Sequence, residues 1–310
     1  MAMPGTLESP EIWNNPFKVG LFRWLKLKLD IHGGKQWFFP GFMRMLSICY
    51  RFAKPKKMVL TSISGGEIRI CLNGKDDVMT PEILAYGYHE EAATRLFKKN
   101  IKSGMTVIDI GANIGYYSLL AAKGAGPEGK IYSFEPDPHN YSVLRKNIEV
   151  NGFTNITAIP KALSRQKGFV DLYCDESNFG AHTLASENIQ VRLWASIKVE
   201  TLRLDDFLQE RGISRVDFIK MDVQGAEGLV LEAAVKTLMS PGLKVLMEFW
   251  PAGLRNLKTD PLELLRRIAL NFDVSIVENN SDLLSLDPEK ILKIAENRCY
   301  VDLFCVRRNS

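Results

Sequence analysis

The residues best able to do chemistry stand where strand-like runs end. They are Asp109 in TVIDI, Glu135 in KIYSFE, Asp222 in VDFIKMDV and Glu248 in LKVLMEFW, with Glu227 shortly after the third. Between the first two lies GANIG (111–115), a turn with two glycines four apart and Asn113 between them. A triphosphate site calls for GxxxxGK[ST], whose lysine offsets the phosphate charge, and here tyrosines follow Gly115. A dinucleotide site calls for GxGxxG, and Asn113 replaces its middle glycine. Asp109 also disfavours a pyrophosphate while suiting an ammonium, or supporting the loop. Gly111 and Gly115 leave the backbone free to approach a flat or extended ligand. Glu135, twenty residues after Gly115, sits where a carboxylate can accept hydrogen bonds from both hydroxyls of a ribose. A ribose carboxylate beside a turn without phosphate chemistry points to adenosine carrying an amino-acid tail, that is, S-adenosylmethionine.

These residues need a scaffold that brings strand ends together. From residue 105 the pattern alternates strand and helix: strands at 106–110, 130–135, 155–160, 216–223, 243–250 and near both 274–278 and 300–308. Helices are expected at 114–123, 138–152, 225–238 and 261–271, with a short one opened by Asp205 and Asp206. GFVDLY (168–173) and IKVETL (197–202) read as extra strands around a polar loop. Repeated βα units predict an α/β fold with a mainly parallel sheet covered on both faces, and a ligand site beyond the carboxyl ends of its strands. Residues 81–99 read as one helix before this core, and 58–64 with 66–72 as a small hairpin split at Gly65 and Gly66. Residues 1–57 read as a basic, mostly helical extension, 58–80 as hairpin and linker, and 81–310 as the main domain.

DIGANIGYYSLLAA, FEPDPHNYSVLRKNI, VETLRLDDFL, DFIKMDVQGAEGLVLEAA and the EFWP that follows resemble, in order and spacing, the FkbM family of class I S-adenosylmethionine-dependent methyltransferases. The resemblance runs from about residue 81 to 305. It implies a Rossmann-like, seven-stranded sheet with one antiparallel strand, and methyl transfer to a hydroxyl of a sugar, glycan or other natural-product scaffold. Carried across, Asp109, Gly111, Asn113 and Gly115 form the cofactor loop. Glu135 with Pro136 meets the ribose, and Lys161–Ala162 flanks the adenine, with Lys161 where many related enzymes place an acid. Asp222, Gln224 and Glu227 match the family's D-V-E-G-x-E stretch, with Gln224 replacing its first Glu.

A sulfonium methyl is already activated, so the protein's task is alignment and exclusion of water. A sugar hydroxyl gains from a base or a metal. Asp222 and His182, the latter in the polar loop SNFGAHTL, are the candidate bases, with His139 behind them. Asp222 serves equally as a structural acid at the next helix or as a partner of the cofactor amine. Asp222 and Glu248 on adjacent strands can share a divalent ion. Glu90 and Glu91 lie near the cofactor end or form a solvated helix face, and one of Tyr116 and Tyr117 is placed to touch the cofactor.

Composition narrows the setting. The net charge of +4 is too small to imply nucleic-acid binding, and MDVQG lacks the [DN]PP[FYW] turn of base methylation. Ten Lys/Arg against three acids give residues 1–60 a net +7, so the rest of the chain is slightly acidic. The stretch 37–53 mixes aromatics with arginines and precedes KPKK. It suits a helix docked on the domain, or a peripheral contact with an anionic inner membrane face bearing a lipid-linked sugar acceptor. Five scattered cysteines without a CxxC pair argue against disulfides or structural zinc and for a reducing, cytoplasmic setting. Two other readings remain open: methylation of another small molecule or an amine, and an inactive methyltransferase fold that binds a membrane surface or a partner.

Overall fold

The structure, a computed structural model, describes residues 10–12, 16–32, 45, 48–50, 52–175, 178–189 and 193–308. The stretch 37–53 lies largely outside them. Chain contacts divide the protein into two compact units, Met1–His89 and Glu90–Ser310.

In the first unit, β1 (Glu11–Ile12) pairs in parallel with β2 (Val59–Ile63), which pairs antiparallel with β3 (Ile68–Leu72). The helix Pro16–His32 buries Phe22 and Leu25, and Arg23 donates to the Leu84 carbonyl. The extension expected to be mostly helical therefore also supplies a short strand. The helix expected over 81–99 is two helices, Met79–Tyr86 and Glu91–Asn100. Gly87 ends the first in the left-handed region (φ 80°), where its missing side chain removes the steric cost. Among the described residues no helix is long and apolar enough to cross a membrane.

The second unit is built on an eight-stranded sheet. Its strands are β4 (Thr106–Ile110), β5 (Lys130–Phe134), β6 (Ile156–Ile159), β10 (Phe218–Met221), β11 (Lys244–Phe249), β12 (Phe272–Val277), β13 (Leu283–Ser285) and β14 (Val301–Arg307). The order is β13-β12-β14-β11-β10-β4-β5-β6, with β14 antiparallel to both neighbours. Apart from the three-residue edge strand β13, this is the seven-stranded sheet with one reversed strand that the resemblance implies. Strand order reverses between β4 and β10, so their carboxyl ends diverge and open a crevice. A smaller sheet, β7 (Ala162–Leu163), β9 (Leu193–Leu202) and β8 (Gly168–Asp175), accounts for the two extra strands, with the polar loop between β8 and β9.

Local chemistry explains the elements around the crevice. Helix Pro138–Asn151 starts where the Asp137 side chain accepts the Asn140 N–H, with proline in the first turn, and stops at left-handed Gly152. The helix expected over 225–238 is cut short to Glu227–Glu232, followed by a 3-10 turn at Thr237–Met239. The buried Asp205 carboxylate draws the chain away by accepting the Lys236 N–H, the Thr237 N–H and the Thr237 hydroxyl. Asp205 thus caps that turn rather than its own helix, Leu204–Glu210.

The two faces of the sheet differ. One packs Ile219, Met221, Val245, Met247, Leu303 and Cys305 into the main apolar core. The other is layered toward the crevice. Phe218 packs against Phe97 and Phe304, and Lys220 lies next beneath the ring of Tyr117. Asp222 then emerges at the edge.

Candidate active site

A cavity of about 60 Å³ lies over the carboxyl ends of β4, β5 and β10, lined by Gly111, Asn113, Glu135, Pro136, Lys161, Ala162, His182 and Asp222 among others. Of the cofactor and catalytic candidates, Asp109, Gly115 and Gln224 are not among its lining residues. Asp109 is 2% exposed and lies beneath the turn, accepting a hydrogen bond from Ser118 Oγ at 2.5 Å. Burial pushes its carboxyl up to about 6. Gly115 takes a left-handed backbone (φ 90°) that favours glycine, and a Cβ there would also press on Leu144 Cδ1 at 2.5 Å. Gly111 lines the cavity, but its missing side chain serves the protein too: a Cβ would sit 1.9 Å from the Asp222 carbonyl oxygen. The glycines were expected to admit a ligand, and Gly111 also lets the turn after β4 pass the Asp222 backbone after β10.

Glu135 ties the turn together. Its Oε2 accepts the Asn113 N–H at 2.7 Å and its Oε1 the Asp137 N–H at 2.9 Å. Burial, with Asp137 adding like charge, pushes its carboxyl up to about 8. Each oxygen keeps a second lone pair for an outside donor. Two more acceptors sit in the lining without partners, Asn113 Oδ1 and Asn140 Oδ1. Asn140 was not singled out from sequence; only its place one turn into the helix after Glu135 hinted at it. Lys161, the one lysine of the lining, is paired to Glu200 at 2.6 Å. The cavity thus offers acceptors and a neutralised cation, which fits a nucleoside bearing hydroxyls and an amine and does not fit a phosphate. At about 60 Å³ it is far smaller than the ~300 Å³ of a typical small-molecule site, so a ligand must displace part of its cover.

That cover is the loop 178–189. Asn140 Nδ2 donates to the Phe179 carbonyl at 2.8 Å, and the Phe179 ring lies between those of His139 and His182. A Cβ at Gly180 would stand 3.3 Å from Asn113 Nδ2, so the loop tip rests on the glycine turn. At the other end, Thr183 Oγ1 and Asn188 Nδ2 donate to the Gln224 carbonyl, and Asn256 Nδ2 donates to Asn188 Oδ1. His182 Nδ1 accepts the Asp175 N–H at 3.2 Å, and burial lowers its pKa. Asp137, Cys174 and His182 bring ligand-type atoms within 4.8 Å of one another, a convergence the sequence spacing gave no sign of. One oxygen of Asp137 already caps a helix, and His182 Nδ1 is already bonded. His182 lines the same cavity as Asp222, on the side of Asp137 and Cys174. None of the five cysteines forms a disulfide among the described residues.

Asp222 sits in a different setting. Its Oδ1 accepts from Gln224 Nε2 at 2.7 Å, and the same nitrogen donates to Glu248 Oε1 at 3.0 Å. The place between these carboxylates, which could have shared a divalent ion, holds the Gln224 amide nitrogen. Gln224 adopts a left-handed backbone (φ 50°) to reach it. Glu227, fully buried, accepts the Val223 and Gly225 N–H groups and closes the loop. Burial raises its carboxyl to about 7. Tyr117 donates to Glu90 at 2.8 Å, and Tyr116 accepts from Thr94. Both tyrosines are buried, and neither lines the cavity. Glu91 pairs with Arg95 on an exposed helix face.

Residues 109–253 match the family model described as "Methyltransferase FkbM domain". Methyltransferase sdnD of Sordaria araneosa is 32% identical over 184 residues, covering 50% of this chain and 71% of that protein. The 2-O-methyltransferase NoeI of Sinorhizobium fredii is 30% identical over 149 residues, covering 44% and 60%. Hexuronic acid methyltransferase AglP of Haloferax volcanii is 23% identical over 198 residues, covering 63% and 75%. Against NoeI the chain therefore spans less than two thirds of the relative's own length.

Proposed function

This chain belongs to the FkbM methyltransferase family, whose methyl donor is S-adenosylmethionine, and we propose that it methylates a hydroxyl oxygen on a sugar or similar natural-product acceptor. The observation that carries the cofactor part of this reading is Glu135, a buried carboxylate of the cavity lining whose two oxygens each accept one backbone N–H and each keep a lone pair for an outside donor. When bound, the cofactor supplies a methyl group already activated on a cationic sulfur.

Glu135 accepts the ribose hydroxyls, and Asn113 Oδ1 and Asn140 Oδ1 gain the donors they lack. Pro136 and Ala162 border the adenosine. Gly111 holds the Asp222 loop against the cofactor turn. Asp222 is placed to accept the proton that a hydroxyl loses as its oxygen is methylated. Gln224 fixes one oxygen of Asp222, leaving the other to face Lys220 at 3.8 Å. Loop 178–189 excludes water once it closes. The name of NoeI specifies an oxygen acceptor and that of AglP a uronic acid; the first supports an oxygen acceptor here and the second a sugar-type one.

The test is transfer of labelled methyl from S-adenosylmethionine to a panel of glycosides by native protein and by Asp222→Asn. Label on oxygen, lost by about a hundredfold or more in the variant, is expected. Label on amines alone, or an undiminished rate in Asp222→Asn, would refute the assignment.

A further inference from the structure

Tyr173 and Thr183 face each other across the base of the loop that covers the cavity. Each donates its N–H to the other's carbonyl, at 2.8 and 3.0 Å, which makes them a hydrogen-bonded antiparallel pair. In that register the next positions, Cys174 and His182, come opposite each other as a non-hydrogen-bonded pair, in which side chains stand closest and share a face. Asp137, the residue before helix Pro138–Asn151, meets them there. One ligand-type atom from each of the three lies within 4.8 Å of the others. Cys174 and Asp137 are both buried, and His182 is partly so. Each has an atom to give. Asp137 Oδ1 accepts the Asn140 N–H, while its Oδ2 has no hydrogen bond among the described residues. The Cys174 thiol makes a long 3.9 Å contact to the Leu172 carbonyl. The lone pair of the His182 ring accepts the Asp175 N–H at 3.2 Å, a contact long enough to yield. Charge at this place is one-sided. Burial pushes the Cys174 thiol up to about 12, with Asp137 and Glu135 adding like charge, and the one lysine of the cavity lining is tied to Glu200.

We propose that Asp137, Cys174 and His182 form a Zn²⁺ site, and that the ion fastens the 178–189 loop over the cavity so that zinc and the cofactor oppose each other's binding. Sulfur, imidazole and one carboxylate oxygen are donors that zinc takes together, whereas calcium and magnesium seek oxygen ligands. In a tetrahedral site with bonds of ~2.0–2.3 Å the ligand atoms stand ~3.5 Å apart, so an ion draws these three together by roughly an ångström. The Cys174 thiol releases its proton to solvent as its sulfur binds, and a water completes the four-coordinate set. His182 belongs to the cover and lines the cavity, while Asp137 belongs to the start of the helix after Glu135. An ion bonded to both holds the cover down. A nucleoside has to displace that cover, so zinc and cofactor weaken each other by the same factor. The zinc site stands on its own geometry, and only the antagonism rests on the cofactor reading above.

The experiment uses the full chain without an affinity tag, stripped of metal by a chelator that is then dialysed away. Zinc chloride is titrated in competition with a chromophoric chelator, and cobalt chloride serves as a coloured replacement, for native protein, Cys174→Ala and His182→Ala. The expected result is one tightly held ion per chain, with a near-ultraviolet thiolate-to-cobalt band that Cys174→Ala abolishes. Zinc affinity should fall about a hundredfold or more in each variant, at or beyond the top of the ~10–100-fold that loss of an outer-shell partner costs. His182→Ala, at a partly buried position, guards against misfolding of the cysteine variant. In saturating zinc the S-adenosylhomocysteine Kd of native protein should rise about tenfold and return on adding chelator, a shift that His182→Ala removes. A cobalt band that survives in Cys174→Ala would put the metal on exposed Cys49 or Cys299 and overturn the site, as would an unchanged zinc affinity in His182→Ala. A bound ion that leaves the S-adenosylhomocysteine Kd unchanged would overturn the antagonism. Metal-free protein that fails to bind S-adenosylhomocysteine would remove the cofactor reading instead, while the cobalt spectrum still decides the site.

Discussion

Replacing Glu135 by glutamine gives the sharpest test of the cofactor site. The carboxylate accepts one backbone N–H on each oxygen, at 2.7 and 2.9 Å, and has one further lone pair on each. Glutamine keeps one accepting oxygen and turns an NH₂ group against a backbone N–H, donor against donor. Two hydrogen bonds to a charged acceptor are worth ~3–6 kcal/mol. Against this, a carboxyl raised to about 8 is mostly protonated near neutral pH, and ionising it at pH 7 costs ~1.4 kcal/mol. The difference is ~3 kcal/mol, roughly a hundredfold weaker binding of S-adenosylhomocysteine by Glu135→Gln at that pH. At about pH 9 the ionisation cost vanishes, and the gap widens to roughly a thousandfold. The sign follows from the free protein holding a proton that the ribose-bound form releases. Native affinity therefore climbs as pH rises to about 8 and then levels, while the variant stays flat. Calorimetry in two buffers of unlike ionisation heat measures both the affinity and the released proton. Binding by Glu135→Gln within about threefold of native at the higher pH, or native affinity that falls as pH rises, would refute the reasoning.

Other perturbations reach other parts of the site. Gly111→Ala places a Cβ 1.9 Å from the Asp222 carbonyl at φ 78°, so urea unfolding should show a loss of ~3 kcal/mol or more, or no folded protein; a fully stable variant would mean that the two loops separate freely. Asp109, Glu227 and Glu135 have carboxyls raised by burial to about 6, 7 and 8. They hold protons in the fold that the unfolded chain gives up, so the cofactor-free melting temperature should fall as pH climbs from about 4 to about 8. A rise over that window would contradict the burial. Loop 178–184 covers a cavity too small for a nucleoside, so hydrogen exchange at Gly180–Thr183 should change on adding S-adenosylhomocysteine, and unaltered exchange at saturation would count against a displaced cover. Asn188→Leu removes a donor to the Gln224 carbonyl, and should lower methyl transfer by about tenfold while leaving cofactor affinity near native.

What the chain disclosed beforehand depended on whether the determining interaction was local. Helix Pro138–Asn151 was readable because its cap, its proline and its terminal glycine lie within one short stretch. Glu135 was readable because its place at a strand end fixes its direction. The break at Gly87 and the early end of helix Glu227–Glu232 were not, the second because Asp205 reaches Lys236 and Thr237 from 31 and 32 residues away. Gln224 shows the difference most clearly. In sequence it is one polar residue where an acid was expected, with no stated task. Its role appears only when β10 and β11 lie in register and set Glu248 beside Asp222. An acid at that position would face two carboxylates, while an amide donates to both. Lys220 follows the same logic. Within the apolar run FIKM it reads as an exception in a buried strand, yet burying an unpaired ammonium is costly unless charge of opposite sign surrounds it. The acids that offset it come from the start of a helix and from three strands, and only the strand order brings them together. A lysine buried in a central strand two residues before an acid is therefore evidence for carboxylates at nearby strand ends, here Glu248 on the adjacent strand and Asp302 one strand further.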